Sequence, residues 1–254
     1  MAETHFGQDH FSDNAPAYAT YRPAYPDELF EWLSAVAPDR RLAVDCATGS
    51  GQAATGLARL VDRVLACDAS RPQLHSAKAH PKIDYVVAPA EQLPVAGRTC
   101  SLVVAAQALH WFDWRAFFDE AGRVLRPGGI VACWTYGLMR TDAEVQQVVE
   151  RLYGETLRGF WPPERRLVEE GYASIIFPDA FNALEVPSFA MEGNWTLGQM
   201  LGYIGTWSGV SQFRKRTGHD PLPETERAMA RVWGDPSVPR TISWPLAIKV
   251  ARLP

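Results

Sequence analysis

The sequence predicts an α/β protein with a Rossmann-like, doubly wound sheet of seven mostly parallel strands, helices on both faces and an α-rich insertion or lid. The first observation is the apolar run 42–44, which ends at Asp45 and continues through small residues into a helix-favouring segment. The second is the alternation of short apolar runs with helix-favouring segments as far as residue 136. Continuous apolar strands are typical of parallel sheets that are covered on both faces.

The turn after this first strand is built from small residues. Ala47, Gly49 and Gly51 occupy alternate positions, so the backbone can turn sharply and a ligand can approach it closely. The alanine predicts that position 47 does not adopt a positive φ. A strand, a carboxylate, a glycine turn and a helix N-terminus with free N–H groups together indicate a nucleotide-cofactor site. The alternative is a turn that only joins a strand to a helix.

The second predicted strand, 63–67, ends at Asp68. This carboxylate lies 17 residues after Gly51, close to the roughly 20 residues expected for an acid that accepts hydrogen bonds from both ribose hydroxyls. Asp68 could instead cap a helix predicted over 71–79. Ser70 is an equally good cap, and its use would free Asp68 for the ligand.

Two further strands, predicted over 83–88 and 99–106, lead into loops that should reach the same cleft. Ligands lie beyond the carboxyl ends of parallel strands, so we expect Gln107, His110 and Trp111 to face the cleft together with the two aspartates. His110 either acts as a general base or forms a polar wall of a substrate pocket, and a purely structural role is the alternative.

The remaining elements follow from hydrophobic periodicity and from the positions of proline and glycine. They are a helix over 114–125, a strand over 130–136, a helix over 142–157, an edge strand over 182–191, helices over 196–207 and 224–233, and a strand over 240–253. The predicted organisation is a cofactor-binding core with an N-terminal lid over 1–139, a substrate-recognition insertion over 140–239 and a last strand, 240–254, that returns to the core sheet.

Two groups of side chains outside the core are candidates for covering or lining the site. Aromatic residues and prolines crowd residues 5–25, which therefore form either a lid or an arm packed on the outside of the domain. In the insertion, Tyr203 and Trp207 could form a pocket wall. Arg214 and Arg216 could supply a cation for an anionic substrate, although a solvated basic face is the simpler interpretation.

Composition excludes several classes of protein. The 254 residues carry a net charge of −4, which argues against nucleic-acid binding because that depends on basic surface. No apolar run approaches the roughly 18 to 20 residues of a membrane-spanning helix, and the N-terminus lacks the pattern of a signal peptide. The four cysteines have no Cys-x-x-Cys spacing, so we expect buried thiols in the reducing cytoplasm and no metal site. We also expect a monomer or a homodimer.

Residues 45–51, Asp-Cys-Ala-Thr-Gly-Ser-Gly, resemble the acid-x-Gly-x-Gly-x-Gly signature of class I S-adenosylmethionine-dependent methyltransferases, with Ala47 in place of the first glycine. Three further stretches resemble the subfamily that includes trans-aconitate methyltransferases. They are Phe-Ser-Asp-Asn-Ala-Pro-Ala-Tyr-Ala-Thr-Tyr-Arg-Pro-Ala-Tyr-Pro near the N-terminus, Ala-Leu-His-Trp-Phe-Asp at 108–113 and Leu-Arg-Pro-Gly-Gly-Ile at 125–130. The resemblance extends from residue 11 to about residue 136.

The resemblance implies that S-adenosylmethionine is the cofactor, that S-adenosylhomocysteine is the product, and that a small molecule is O-methylated on a carboxylate or hydroxyl. The cofactor-binding residues are then Tyr21, Arg22, Asp45, Ala47, Thr48, Gly49, Gly51, Asp68, Ala69, Ala90, Glu91 and Gln107. The substrate-binding residues are Tyr18, His110, Trp111, Trp134, Tyr203 and Trp207, with His110 as the candidate catalytic group.

Two other functions stay open from the sequence. Gly49-x-Gly51-x-x-Ala54 fits a loose dinucleotide-binding pattern, which would suggest an NAD(P)-dependent oxidoreductase, although no Tyr-x-x-x-Lys pair is present. The second alternative is a catalytically silent module that kept the cofactor fold.

Overall fold

The computed structural model describes residues 23–254 and contains a seven-stranded sheet in the order β3-β2-β1-β4-β5-β9-β6. The strands are β1 Leu42–Cys46, β2 Arg63–Asp68, β3 Ile83–Val87, β4 Cys100–Ala106, β5 Leu125–Thr135, β6 Asn182–Ala183, β7 Ala190–Trp195, β8 Arg240–Pro245 and β9 Ala247–Arg252. Strands β1 to β5 are parallel, and β9 is antiparallel to both β5 and β6. The predicted fold class is confirmed.

Helices cover the sheet and form most of the segment between β5 and β8. They are α1 Asp27–Val36, α2 Gln52–Ala58, α3 Arg71–His75, α4 Trp114–Val124, α5 Ala143–Arg151, α6 Arg165–Glu169, α7 Leu197–Gly205, α8 Ser208–Thr217 and α9 Leu222–Trp233. A 3₁₀ turn spans Leu109–Trp111, and a π-helical turn, Leu152–Thr156, extends α5. Within residues 23–254, no helix is long and apolar enough to cross a membrane.

The register of the parallel strands brings the predicted site residues to one edge of the sheet. In β1, Cys46 pairs with Cys67 of β2 on one side and with Ala105 of β4 on the other. Asp45, Asp68 and the residues after Ala106 therefore lie at neighbouring carboxyl ends, where ligands bind in open α/β sheets.

The hydrophobic core is divided by the sheet into two layers. One layer contains Leu29, Phe30 and Trp134, and the other contains Phe117 and Phe118. A Cβ on Gly56 of α2 would overlap the Phe30 ring, so this glycine permits α1 and α2 to pack closely. All four cysteines are buried free thiols, as predicted.

Trp134 corrects one of the substrate predictions. Its side chain is fully buried, and its ring lies edge-on to Tyr25 and Phe30, with centroids 5.4 and 6.3 Å away. In the parallel sheet, successive side chains of β5 point to opposite faces. Trp134 points into the α1 layer of the core and lines neither cavity described below.

The predicted strand over 240–253 is two strands that belong to different sheets. Strand β8 pairs antiparallel with β7 in a separate two-stranded sheet, whereas β9 pairs with β5 in the main sheet. Pro245 is the last residue of β8, where the chain passes from one sheet to the other, because proline has no N–H to donate to a continued ladder of hydrogen bonds. The predicted strand over 182–191 is likewise divided, into β6 and β7, with Pro187 between them.

Three helix predictions also need correction. The helix predicted over 71–79 ends at His75. The segment 211–216, which lies between the helices predicted over 196–207 and 224–233, belongs to a further helix, α8, which ends at Thr217 and is followed by Gly218 with φ +73°. The helix predicted over 142–157 begins at Ala143, with Asp142 as its N-cap, and changes to π-helical geometry at Leu152.

Candidate cofactor cleft and substrate pocket

A cleft of about 950 Å³ lies beyond the carboxyl ends of β1, β2 and β4. Ten of the residues predicted for the cofactor or the substrate line it: Asp45, Ala47, Thr48, Gly49, Asp68, Ala69, Ala90, Glu91, Gln107 and Trp111. Gly51 is not a lining residue, and Tyr18, Tyr21 and Arg22 lie outside the described residues. The predicted lid over 5–25 is outside them too, except for its last three residues.

The backbone of the glycine turn adopts three positive φ angles. Gly49 and Gly51 have φ values of +56° and +85°, and Ala47 has φ +52°. The prediction that Ala47 avoids this region is therefore wrong. A non-glycine residue in the left-handed region costs on the order of 1–3 kcal/mol, and it persists where the surrounding structure fixes the backbone.

Hydrogen bonds to β2 hold the turn in this conformation. The Thr48 N–H donates to the carbonyl of Cys67 at 2.9 Å, and the Gly49 N–H donates to Asp68 Oδ2 at 2.9 Å. Asp68 Oδ1 accepts from the Ser70 N–H at 2.8 Å, while the Ser70 side chain makes no capping bond. Ser70 therefore takes the N-cap position of α3, as predicted, although its side chain does not make the capping bond. Asp68 lines the cleft, and a carboxylate oxygen can accept more than one hydrogen bond, which suits this residue to ribose hydroxyls.

Asp45 is a fully buried carboxylate with an unsatisfied oxygen. The Thr48 hydroxyl donates to Oδ2 at 2.5 Å, whereas Oδ1 has no hydrogen-bond partner in the part of the chain that the structure describes. Burial raises the pKa of Asp45 to about 7, with a further upward contribution from the charge of Asp68, against hydrogen bonds from Thr48 and the Ala54 N–H. A buried acceptor of this kind needs a cation or donor from a ligand.

The far wall of the cleft is fixed by the loops after β3 and β4. Ala90 is buried and small, so a flat ring can approach the backbone there. Glu91 Oε1 accepts from the Asp113 N–H at 3.1 Å, and the Asp113 side chain caps α4. This hydrogen bond from Asp113 to Glu91 joins the loop after β3 to the loop after β4.

Gln107 stands where the cleft meets a second, smaller cavity. Its φ is +54°, and its side-chain amide donates to the Tyr136 carbonyl at 3.1 Å. Its Oε1 accepts from the Thr135 hydroxyl at 2.5 Å and from the Tyr136 N–H at 3.0 Å. Because these bonds occupy the amide, Gln107 positions the chain between β4 and the 3₁₀ turn.

The second cavity, of about 60 Å³, is here called the side pocket. It shares Gln107 and Trp111 with the cleft. Its other lining residues are His110, Tyr136, Gly137, Leu138, Trp161, Pro162, Arg165, Tyr203, Trp207 and Ser208. The structure thus brings the predicted substrate residues His110, Trp111, Tyr203 and Trp207 together.

His110 is held in a neutral state. Its Nδ1 lies 2.9 Å from the phenolic oxygen of Tyr172, and its ring centroid lies 4.7 Å from that of Trp111. Burial lowers the pKa of His110 to about 3, and the charge of Arg165 contributes in the same direction. An imidazole with this pKa is a weak proton acceptor at neutral pH, which argues against His110 as a general base.

The two arginines considered for the pocket do not line it, as the simpler interpretation predicted. Arg214 forms an ion pair with Asp220 at 2.8 Å, and Arg216 donates to the Gly159 carbonyl at 2.9 Å, so both lie on the solvated face that was the simpler interpretation. The cation in the side pocket is Arg165, which no sequence pattern singled out. Trp161 and Tyr172 were missed for the same reason, since no periodic pattern marks them.

The fold and site are those of a class I S-adenosylmethionine-dependent methyltransferase. The features that define the class are the strand order, the acid and glycine turn after β1, and the second acid after β2. Residues 44–133 match the family described as a methyltransferase domain, and the chain belongs to this family. S-adenosylmethionine is therefore its cofactor, and the oxidoreductase alternative is wrong.

Known proteins support the assignment over nearly the whole chain. A solved type II methyltransferase from Anaeromyxobacter dehalogenans, so named provisionally, is 47% identical; the match covers 92% of this chain and 98% of that one, with a TM-score of 0.86. A Dictyostelium discoideum protein provisionally named a methyltransferase is 31% identical over 229 residues, 89% of this chain and 86% of that protein. Malonyl-[acyl-carrier protein] O-methyltransferase from Hahella chejuensis is 47% identical over 64 residues, 25% of this chain and 23% of that protein.

The residues of the cleft fit the cofactor. The unsatisfied Oδ1 of Asp45 suits the cofactor's ammonium group, and Asp68 suits the ribose hydroxyls. When bound, the cofactor supplies an electrophilic methyl group on a sulfonium. The protein has to bind the acceptor beside it, orient the acceptor and exclude water.

Proposed function

We propose that this protein is a methyltransferase that O-methylates a carboxylate of a small molecule, with a hydroxyl acceptor as the alternative. The observation that carries the proposal is the neutral state of His110 in the pocket that adjoins the cofactor cleft. A carboxylate is already ionised at neutral pH and needs no base, whereas a hydroxyl does.

The other lining residues of the side pocket also favour an acceptor that arrives ionised. Tyr136 and Tyr203 are phenols, and Trp111, Trp161 and Trp207 have no basic group. Arg165 contributes a guanidinium, which donates hydrogen bonds and has no acceptor for a proton. Among the described residues of this pocket, His110 is thus the one side chain with an ordinary pKa suited to proton abstraction, and its pKa is far too low.

Positioning is then the main contribution of the chain to the rate. Holding the acceptor oxygen roughly 3–3.5 Å from the methyl carbon, in line with the breaking bond, can contribute on the order of 7–11 kcal/mol. The side pocket, of about 60 Å³, has room for one small group of an acceptor. The segment 140–239 provides Trp161, Arg165, Tyr203 and Trp207, which supports its proposed role in substrate recognition.

Two similarities agree with carboxylate methylation. The short match to malonyl-[acyl-carrier protein] O-methyltransferase concerns a protein whose name specifies O-methylation. The motifs at 108–113 and 125–130 resemble those of trans-aconitate methyltransferases. We retain the cytoplasm as the proposed location and a monomer or homodimer as the proposed assembly.

The test is methyl transfer from isotopically labelled S-adenosylmethionine to a panel of small carboxylic acids, phenols and alcohols. We expect a product from an acid that releases labelled methanol in mild base, as a methyl ester does. The Asp45→Ala variant, which loses the partner of the ammonium group, serves as the inactive control. Products formed only from phenols or alcohols would contradict the proposal. Tight binding of S-adenosylhomocysteine without any product would instead favour the silent module.

A further inference from the structure

The side pocket contains a cation, Arg165, that has no direct carboxylate partner in the described part of the chain. Arg165 forms no ion pair within residues 23–254, although eight other ion pairs are present there. Its neighbour Arg166 pairs with Glu170 at 2.6 Å. A guanidinium that lines a pocket without a direct carboxylate partner can bind the anionic group of a ligand.

Aromatic rings hold this guanidinium in one orientation. Its central carbon lies 5.4 Å from the centroid of the Tyr153 ring and 5.1 Å from that of Trp161. Its Nε donates to the Tyr153 hydroxyl oxygen at 2.9 Å, and Tyr153 is in turn hydrogen-bonded to Glu169. With Nε occupied, the Nη groups remain as the donors that can bind an anion in the fork geometry of arginine.

His110 adds a second, uncharged group to the same pocket. The contact of Nδ1 with Tyr172 fixes the imidazole plane, and the ring stays neutral. If the Tyr172 hydroxyl donates to Nδ1, then Nε2 carries the proton and can donate to a ligand. A neutral His110 that donates a hydrogen bond beside the Arg165 cation can help to bind an anion, whereas a ring nitrogen that accepts would repel it.

Resting on the proposed function, we propose that Arg165 is the specificity-determining residue of the side pocket and binds a non-reacting anionic group of the acceptor, assisted by His110. The reacting carboxylate then lies where the side pocket meets the cleft, beside Gln107 and Trp111, the two residues that both cavities share. The acceptor class is a small acid with a second anionic group, and the aromatic walls pack against its apolar body.

The test compares glutarate, adipate and homophthalate with the monocarboxylic acids of the same skeletons, using protein saturated with S-adenosylhomocysteine. Thermal stabilisation by each acid is measured for the wild type, Arg165→Met, Arg165→Lys and the matched control Arg166→Met. We expect the wild type and Arg166→Met to bind at least one dianion more tightly than its monoanion. Loss of a charge-assisted bond should reduce this preference about 10- to 100-fold in Arg165→Met. Arg165→Lys keeps the charge without the planar pair of donors, so it should retain an intermediate preference. It also keeps the inference testable if Arg165→Met does not fold.

Turnover provides the second measurement. For an acid that is methylated, Arg165→Met should raise KM for the dianion about 10- to 100-fold with little change in kcat, since the anchored group does not react. An equal preference in wild type and Arg165→Met, or no stabilisation of the wild type by any dianion, would overturn the inference. Anion binding that depends on Arg165 without methyl transfer would support the anion subsite and contradict the proposed function. Methylation of monocarboxylic acids alone would support the proposed function and contradict the anion subsite.

Discussion

The phenolic oxygen of Tyr172 lies 2.9 Å from Nδ1 of His110 and joins the segment after β5 to the loop after β4. Tyr172 is fully buried and has φ +60°, so the surrounding packing holds an unfavourable backbone conformation there. The contact fixes the imidazole beside the acceptor pocket. It also leads to a prediction about the pH dependence of the reaction.

We expect kcat at saturating cofactor and carboxylate acceptor to stay flat between about pH 5 and 8. Because the pKa of His110 is about 3, the ring is neutral throughout this range and gives no inflection near 6.5. His110→Asn should lower kcat less than about tenfold, whereas loss of a true general base costs roughly 10²–10⁴-fold. An inflection near pH 6.5 that disappears in His110→Asn would contradict the prediction.

Asp45→Asn should stabilise the cofactor-free protein at pH 8. The folded pKa of Asp45 is about 7 and the unfolded value is near 3.8, so the folded state binds more protons between these values. Stability is therefore lost as pH rises from about 4 to 7, and the asparagine removes this loss. The gain should be on the order of 2–4 kcal/mol at pH 8 and small at pH 4. Urea unfolding at both values measures it, and an equal effect at pH 4 and 8 would refute the linkage.

The same carboxylate should make cofactor binding depend on pH. The predicted pairing of Asp45 with the ammonium group of S-adenosylhomocysteine needs the ionised carboxylate, so the affinity of the wild type for this ligand should fall as pH drops from 8 to 6. Binding near pH 6 should release a proton, which calorimetry in buffers of different ionisation enthalpy detects. Asp45→Asn should bind weakly at both values. A wild-type affinity that does not change with pH would count against the predicted pairing.

Ala47→Gly should leave the protein equally stable or stabilise it by up to about 1 kcal/mol. Glycine adopts φ +52° without the Cβ penalty, and this relief offsets the greater entropy of the unfolded chain. Ala121→Gly, in the buried interior of α4, is the control and should destabilise by about 1 kcal/mol or more. Denaturant midpoints compare the two, and a similar loss in both variants would show that Ala47 is not strained.

Gly51→Ala should be more damaging than Gly49→Ala. Both positions have positive φ, so both variants carry a backbone penalty of about 1–2 kcal/mol. A Cβ on Gly51 would also lie 2.5 Å from the Tyr85 hydroxyl oxygen, whereas one on Gly49 meets only Gln73 at 3.9 Å. The clash should add about 1–3 kcal/mol to the loss of stability. Equal unfolding midpoints for the two variants would contradict this expectation.

The parallel core could be predicted from the sequence because its signals are local. Each of the first three strands is a short apolar run, and the runs before Asp45 and Asp68 place those carboxylates at the ends of β1 and β2. The conformation of Ala47 could not be predicted, since it depends on bonds from the turn to the distant Cys67 and Asp68. Side-chain identity alone favoured the opposite φ.

The acceptor pocket was less predictable because its walls come from segments without regular spacing. Arg165 belongs to a five-residue helix whose role depends on the rings of Tyr153 and Trp161. Trp134 was expected in the pocket from the resemblance, but side chains alternate across the sheet and that of Trp134 lies in the core. Tertiary packing brings Arg165 to the pocket and leaves Arg214 and Arg216 outside it.

The pairing of β5 with β9 places the two junctions of the segment between them side by side, since Thr135 is opposite Ala247. A length of chain that leaves and rejoins a sheet at neighbouring positions can be exchanged between relatives without rerouting the rest of the backbone. Chimaeras cut at residues 136 and 246, which would carry the edge strand β6 with the exchanged segment, would thus allow one methyl-donor scaffold to be combined with different acceptor preferences.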